Sequence, residues 1–243
     1  MTPLIAAFAL AALPKTTIPA SLSEIGRKYG LEIQVVTKSY EWNSGSYKVF
    51  AEPVSQEALD KYAVLFSKEW NRYPVGVIAK SKTKKIVFGA KVRLNEQYRA
   101  AVPAFEGQTM YYDPELGAYN PRYQQGVVHH EFFHMMDQRM GLLWVDKDWS
   151  ALNRAGFKYG SGGAQMRDSN AGVLTDKIPG FLTAYSTAAV EEDKAEIFAH
   201  LLVNREYVLK RAAADSVMAK KVEFLKKRMQ GFDAGFGAGF WTQ

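Results

Sequence analysis

The sequence predicts an α+β fold, with strands gathered in its first part and a mainly helical second part. Two patterns carry that expectation. Short runs rich in β-branched and aromatic residues, punctuated by Gly, Pro and Asp, fall before residue 113, whereas longer segments with helical apolar spacing dominate from residue 122 onward. The chain also lacks any internal repeat or long low-complexity linker. That favours one domain over residues 15–243, with an α/β part to about 140 and a helical part from 141.

The elements follow in order. Residues 21–29 read as a short helix and 31–37 as a strand, where Ile33, Val35 and Val36 supply the β-branched residues. Residues 55–70 are helical, with Leu59, Tyr62, Leu65 and Phe66 on one stripe. Residues 85–94 and 108–112 are expected as further strands, the second closed by Asp113-Pro114. A long helix is predicted over 122–140, launched after Asn120-Pro121 and stopped by Gly141. Residues 142–186 show little periodicity and include a Gly-rich patch at 160–163. Two helices follow, about 188–202 and 205–230, and the Gly- and Phe-rich tail 231–243 is expected to be irregular.

Composition narrows the function classes. The 243 residues are 47% hydrophobic and 23% charged, ordinary for a folded domain able to bury a core. The net charge of +6 is spread along the chain, and the Lys-rich stretches 80–85 and 220–228 are broken by acidic and apolar residues. No nucleic-acid-reading motif accompanies that charge, so nucleic acid is not expected as a partner. There is no cysteine, which excludes disulfides and thiolate metal sites and leaves His and carboxylates as metal ligands. Residues 4–13 form an apolar run before Pro14-Lys15, shorter than the roughly 20 residues a spanning helix needs. Its length and small residues suit the core of a signal peptide over residues 1–14, although Met1–Pro3 carries no basic side chain. Secretion or a cell-envelope location is therefore expected. No integral membrane segment appears, and no pattern specifies an oligomeric state.

His130-Glu131-Phe132-Phe133-His134 is an H-E-x-x-H match. On a helix, residues i and i+4 point the same way, so two imidazoles can grip one metal ion, and the Glu between them lies where it can take a proton from bound water. On the helical wheel Val128, Phe132, Met135 and Met136 gather on one side, with His130, His134 and Asp137 opposite. Three of the four histidines fall within residues 129–134. A catalytic zinc needs a third protein ligand and an open position. Asp137 stands either as a competing ligand or as a supporting group. Downstream, Glu192 and Glu196 share one helix face, suited to one ligand and one partner for a ligand histidine. His129 and His200 are weaker candidates for supporting roles.

The H-E-x-x-H motif with a later E-x-x-x-E helix resembles the gluzincins, the thermolysin-like zinc metallopeptidases. The segment from Tyr185 through Glu192 and Glu196 resembles most the lethal-factor and Pro-Pro endopeptidase branch. The resemblance covers roughly residues 108–202. It implies a zincin-like α+β fold, with a mixed sheet, an edge strand over the cleft and the H-E-x-x-H motif on the active-site helix. It further implies one Zn²⁺ per chain held by His130, His134 and Glu192, with Glu196 in support. Glu131 would act as the catalytic base and Tyr185, seven residues before Glu192, as a catalytic hydroxyl. The implied activity is zinc-dependent hydrolysis of peptide bonds in a peptide or protein substrate, by Glu-assisted attack of zinc-bound water. The alternative is a non-catalytic zinc-containing module that binds peptides or a cell surface. Residues 108–112 are the expected edge strand, with Tyr111 and Tyr112 flanking the cleft. Trp144, Trp149 and residues 157–163 are candidates for a wall or lid of that cleft.

Overall fold

A computed structural model describes residues 16–166 and 170–242; the signal-peptide reading of residues 1–14 lies outside the described residues. The elements run α1 (Ala20–Tyr29), β1 (Glu32–Val35), β2 (Tyr40–Asn43), β3 (Lys48–Glu52), α2 (Gln56–Trp70), α3 (Val75–Ser81), β4 (Lys85–Phe88), β5 (Ala90–Leu94), β6 (Gln97–Tyr98), β7 (Ala101–Ala104) and β8 (Thr109–Tyr112). The helices α4 (Pro121–Arg139), α5 (Lys147–Ser150), α6 (Val190–Val203), α7 (Arg205–Ala214) and α8 (Ser216–Phe232) follow. The fold is α+β with a mixed sheet, as expected. Among the described residues no helix is long and apolar enough to cross a membrane.

Two four-stranded sheets form. The first has the order β1-β4-β8-β7, with β1, β4 and β8 parallel and β7 antiparallel at the end. The second, β2-β3-β5-β6, is antiparallel throughout. The period-2 alternation of strand side chains sorts the core into two layers. Ile86, Phe88, Met110 and Tyr112 face the helices, whereas Val87, Val102, Ala104 and Tyr111 meet Val49, Ala51 and Val92 of the second sheet. Burial on both faces explains why β4 after Lys85 and β8 after Thr109 are continuous runs of apolar and aromatic residues.

The expected strand over 85–94 is broken at Gly89, where the chain passes from one sheet to the other. A Cβ at Gly89 would lie 2.8 Å from the Ala51 Cβ and 2.9 Å from a Val36 methyl, so only glycine fits the crossing. Residues 108–112 do form a strand, but β8 is interior, paired on both sides and fully buried. The edges are β1 and β7, and Pro103 of β7 is tolerated because one side of that strand has no partner in the sheet. Tyr111 and Tyr112 are therefore core residues and do not flank the cleft. The expected helix over 205–230 is two helices, because the Asp215 side chain caps α8 by accepting from the Val217 and Met218 amides. The tail is not irregular throughout. It forms short 3₁₀ turns that bury Phe236, Phe240 and Trp241 against the main core.

Helix α4 begins where expected. Asn120 accepts from the Tyr123 amide, Pro121 occupies the first turn, and Gly141 at φ 74° carries the chain away after the last turn. Its inner face packs Phe132 on Trp70 and Tyr73, and Phe133 on Phe198 of α6. His129 is fully buried on this inner side, away from the other two histidines of the motif region. Burial holds it neutral, below its usual range, so Tyr73 Oη donates to Nδ1 at 2.7 Å and Nε2–H donates to Glu69 at 3.0 Å. Burial alone would raise the Glu69 carboxyl, but His129 and Arg72 outweigh it and hold the value down to about 2. A carboxyl depressed in the folded state stabilises the fold above its ordinary pKa and loses that contribution as pH falls through the folded value. We expect Glu69→Gln to melt below wild type at pH 7, by about 3 kcal/mol at most. Between pH 4.5 and 2 the gap should close. Melting curves across that range that stay parallel would contradict this assignment.

Candidate metal centre

Helices α4 and α6 pack closely and bring together groups 62 and 66 residues apart in sequence. His130 Nε2 lies 3.0 Å from Glu192 Oε2, and His134 Nε2 lies 3.6 Å from the same oxygen. The ligand atoms of His130, His134 and Glu192 all fall within 4.8 Å of one another. Donors about 2.0–2.1 Å from one tetrahedral zinc sit roughly 3.4 Å apart, so this trio fits the ion. The charges fit it as well. Glu131, Glu192 and Glu196 surround the two imidazoles, and so many carboxylates in a buried space call for a cation.

The electrostatics follow from that crowding. Burial works against charge on His130, yet its hydrogen bonds to Glu192 and Glu196 prevail and push it well above the usual histidine range. Burial likewise opposes ionisation of Glu192 and Glu196, but their histidine partners hold both carboxyls below the ordinary range. His130 thus has a carboxylate at each ring nitrogen, Glu192 at Nε2 and Glu196 at Nδ1, and a metal ion would be held on the Nε2 side. Glu131 is half-buried, and desolvation raises its carboxyl despite the two imidazoles and Arg99 nearby.

Glu196 stands behind the trio. Its Oε1 accepts from His130 Nδ1 at 3.1 Å, and its Oε2 accepts from the Thr183 hydroxyl at 2.8 Å. His200 Nε2 lies 3.7 Å from Glu196 Oε2, and its Nδ1 meets the Asn204 amide at 2.8 Å. Tyr185 Oη donates to Glu192 Oε1 at 2.9 Å, and its ring centroid is 6.1 Å from that of His130. Burial, then the Glu192 charge, raise the Tyr185 phenol well above its usual range, so it stays a donor.

A profile for the family described as "Putative zinc-binding metallo-peptidase" matches residues 108–231, just over half of the chain. The chain belongs to this zinc-binding metallopeptidase family. The match spans α4 and α6, and with them every residue of the cluster. Comparison with curated proteins and with solved structures gave no match.

In this metallopeptidase Asp137 stands outside the cluster, against the reading of it as a competing ligand. It is fully buried, and its carboxylate meets Lys194 Nζ at 2.6 Å. Lys194 also donates to the Leu142 carbonyl at 2.7 Å and lies 3.3 Å from Asp146, which Arg228 holds from α8. On the other side of Glu192, buried Asp193 accepts from Lys221, Trp149 and Tyr159 at 2.6–2.8 Å. These two ion-paired networks fix the first turn of α6, and so the direction of Glu192. They also remove Trp149 from the cleft wall, since its ring is wholly buried.

Two groups at the site escaped the sequence, and a third was named there only as part of a wall or lid. Thr183 supports Glu196 from a loop with no pattern of its own. Arg99, just before β7, contributes a small positive field at Glu131 while bonding Gln97 and the Tyr98 carbonyl. Gly163 is the least expected: a Cβ there would come within 2.2 Å of Glu192 Oε1 and 2.3 Å of Tyr185 Oη. The Gly-rich patch is therefore packed on the site, and its Gly160 and Gly162 amides donate to the Thr187 and Ala188 carbonyls.

Proposed function

We propose that this chain is a zinc-dependent endopeptidase of the gluzincin type, in the branch that resembles lethal factor and the Pro-Pro endopeptidases, with one zinc per chain. The observation that supports it most is the convergence of His130, His134 and Glu192 within 4.8 Å, with Glu131 beside them and the Tyr185 hydroxyl 2.9 Å from Glu192. His130, His134 and Glu192 would hold the metal, and Glu196 would orient His130 through Nδ1. Bound zinc supplies a Lewis acid that polarises a carbonyl and acidifies water.

The chain's own residues do the rest. Glu131, made more basic by desolvation, takes a proton from the attacking water as its oxygen bonds to the peptide carbon. Tyr185 donates its O–H to the oxyanion that develops there. The C–N bond then breaks, and Glu131 delivers the proton to the departing nitrogen. Strand β7 offers an unpartnered side along which an extended substrate can add as a further strand.

Elemental analysis of the purified protein is expected to give one zinc per chain, with cleavage of members of a random peptide library. Chelation should abolish cleavage, and added zinc should restore it. Bound zinc without cleavage of any peptide would favour the non-catalytic module, and no metal after re-addition would remove the centre altogether.

A further inference from the structure

Beyond the metal cluster lies a cavity of about 410 Å³ between the turn after α4, the Gly-rich patch and the first turn of α6. That volume is near the lower end of the roughly 300–1,000 Å³ of small-ligand clefts, enough for one large side chain. Its walls are Trp144, Val145, Tyr159, Ala189, Val190 and Glu191. Two of the polar groups around it are engaged elsewhere: the Tyr159 hydroxyl binds Asp193, and the Asp146 carboxylate is held by Arg228 and Lys194, while Lys147 and Ser150 also line it. What faces the cavity is chiefly apolar.

Trp144 and Val145 are each 67% exposed, an unusual state for two adjacent large apolar residues. They are not on a loose loop. Leu143 and Asp146 on either side are buried, so the pair is held out on an anchored turn. The cavity also adjoins the reacting centre. Glu191 precedes Glu192, Gly162 lines the cavity while Gly163 abuts Tyr185, and the Trp144 ring meets Phe105, at the end of β7, edge-on at 6.5 Å.

We propose that this cavity receives one substrate side chain next to the cleaved bond, and that it selects a large apolar or aromatic one through Trp144 and Val145. The inference rests on the peptidase reading and deepens it.

The test uses the zinc-loaded protein and capped peptides identical but for one position carrying Phe, Leu, Ala or Glu, scanned along the chain. Binding is read by tryptophan fluorescence in Glu131→Gln, and cleavage as kcat/KM in the active protein. At one position Phe and Leu should exceed Ala by about tenfold to a hundredfold, in binding and in kcat/KM. Trp144→Ala should erase that preference. Ser161→Phe, which fills the cavity from its exposed rim, should also abolish the preference. Cleavage with an apolar preference that survives both variants would overturn the inference alone. Selective binding without cleavage would uphold the pocket and overturn the peptidase reading. No binding and no cleavage of any peptide would overturn both.

Discussion

Glu131→Gln is expected to keep its full zinc content and lose about 10²–10⁴-fold in kcat, the usual worth of a positioned general base. The amide has the shape of the carboxylate but cannot accept the proton of the attacking water. Nothing in the ligand trio changes, because His130, His134 and Glu192 all lie outside the substitution. Burial of Glu131 makes the effect large: desolvation raises its carboxyl, and the side chain is only half-exposed, so bulk water is a poor substitute base. Tyr185→Phe separates the second role. It removes a donor 2.9 Å from Glu192 without touching the base, and a lost oxyanion donor costs about 10²–10³-fold in kcat with KM little altered. Zinc content by mass spectrometry of the intact holoprotein, read beside single-turnover rates, distinguishes these effects from metal loss. A Glu131→Gln protein that turns over at wild-type rate would remove Glu131 from the chemistry.

The parts of this site that were legible in the sequence are those fixed by local geometry. His130, Glu131 and His134 need only one helix, whose start at Asn120-Pro121 and end at Gly141 are written in residues with local reasons to be there. Glu192 and Glu196 were legible as a pair on one face. Which of them lies near both His130 and His134 is a tertiary matter that depends on the packing of α6 on α4. Strand β7 was invisible because Ala101-Val-Pro-Ala has a proline that argues against a strand, and only an edge position reverses that argument. Gly89 hid a sheet crossing inside an apparently continuous strand, since what forbids a side chain there is contributed by distant Val36 and Ala51. Gly163 belongs to the same class. The sequence marked residues 157–163 as a candidate wall or lid of the cleft, and the fold uses the missing side chain of Gly163 to bring backbone against Tyr185 and Glu192.

Glu192→Ala and Glu196→Ala are expected to part company completely, although the two residues sit one helical turn apart. Glu192 Oε2 is within 3.0 Å of His130 Nε2 and 3.6 Å of His134 Nε2, so its removal takes away one of three donors. Two neutral imidazoles alone hold zinc poorly, and the purified Glu192→Ala protein should carry almost no metal and show no activity. Glu196 meets the other nitrogen of the same imidazole, with Oε1 3.1 Å from His130 Nδ1 and Oε2 2.8 Å from Thr183. Its loss leaves the donor set intact but frees the His130 ring to turn and lowers its basicity. Affinity should fall about 10–100-fold, which equimolar zinc at purification concentrations still overcomes. Thermal melting with and without zinc gives an independent reading, because a ligand that binds only the folded state raises the melting temperature. Wild type and Glu196→Ala should both gain from added zinc, the latter at higher concentration, and Glu192→Ala should gain nothing. The opposite pattern would make Glu196 the ligand. Tyr185 would then lose its place beside the metal, since its hydroxyl is tied to Glu192 and not to Glu196.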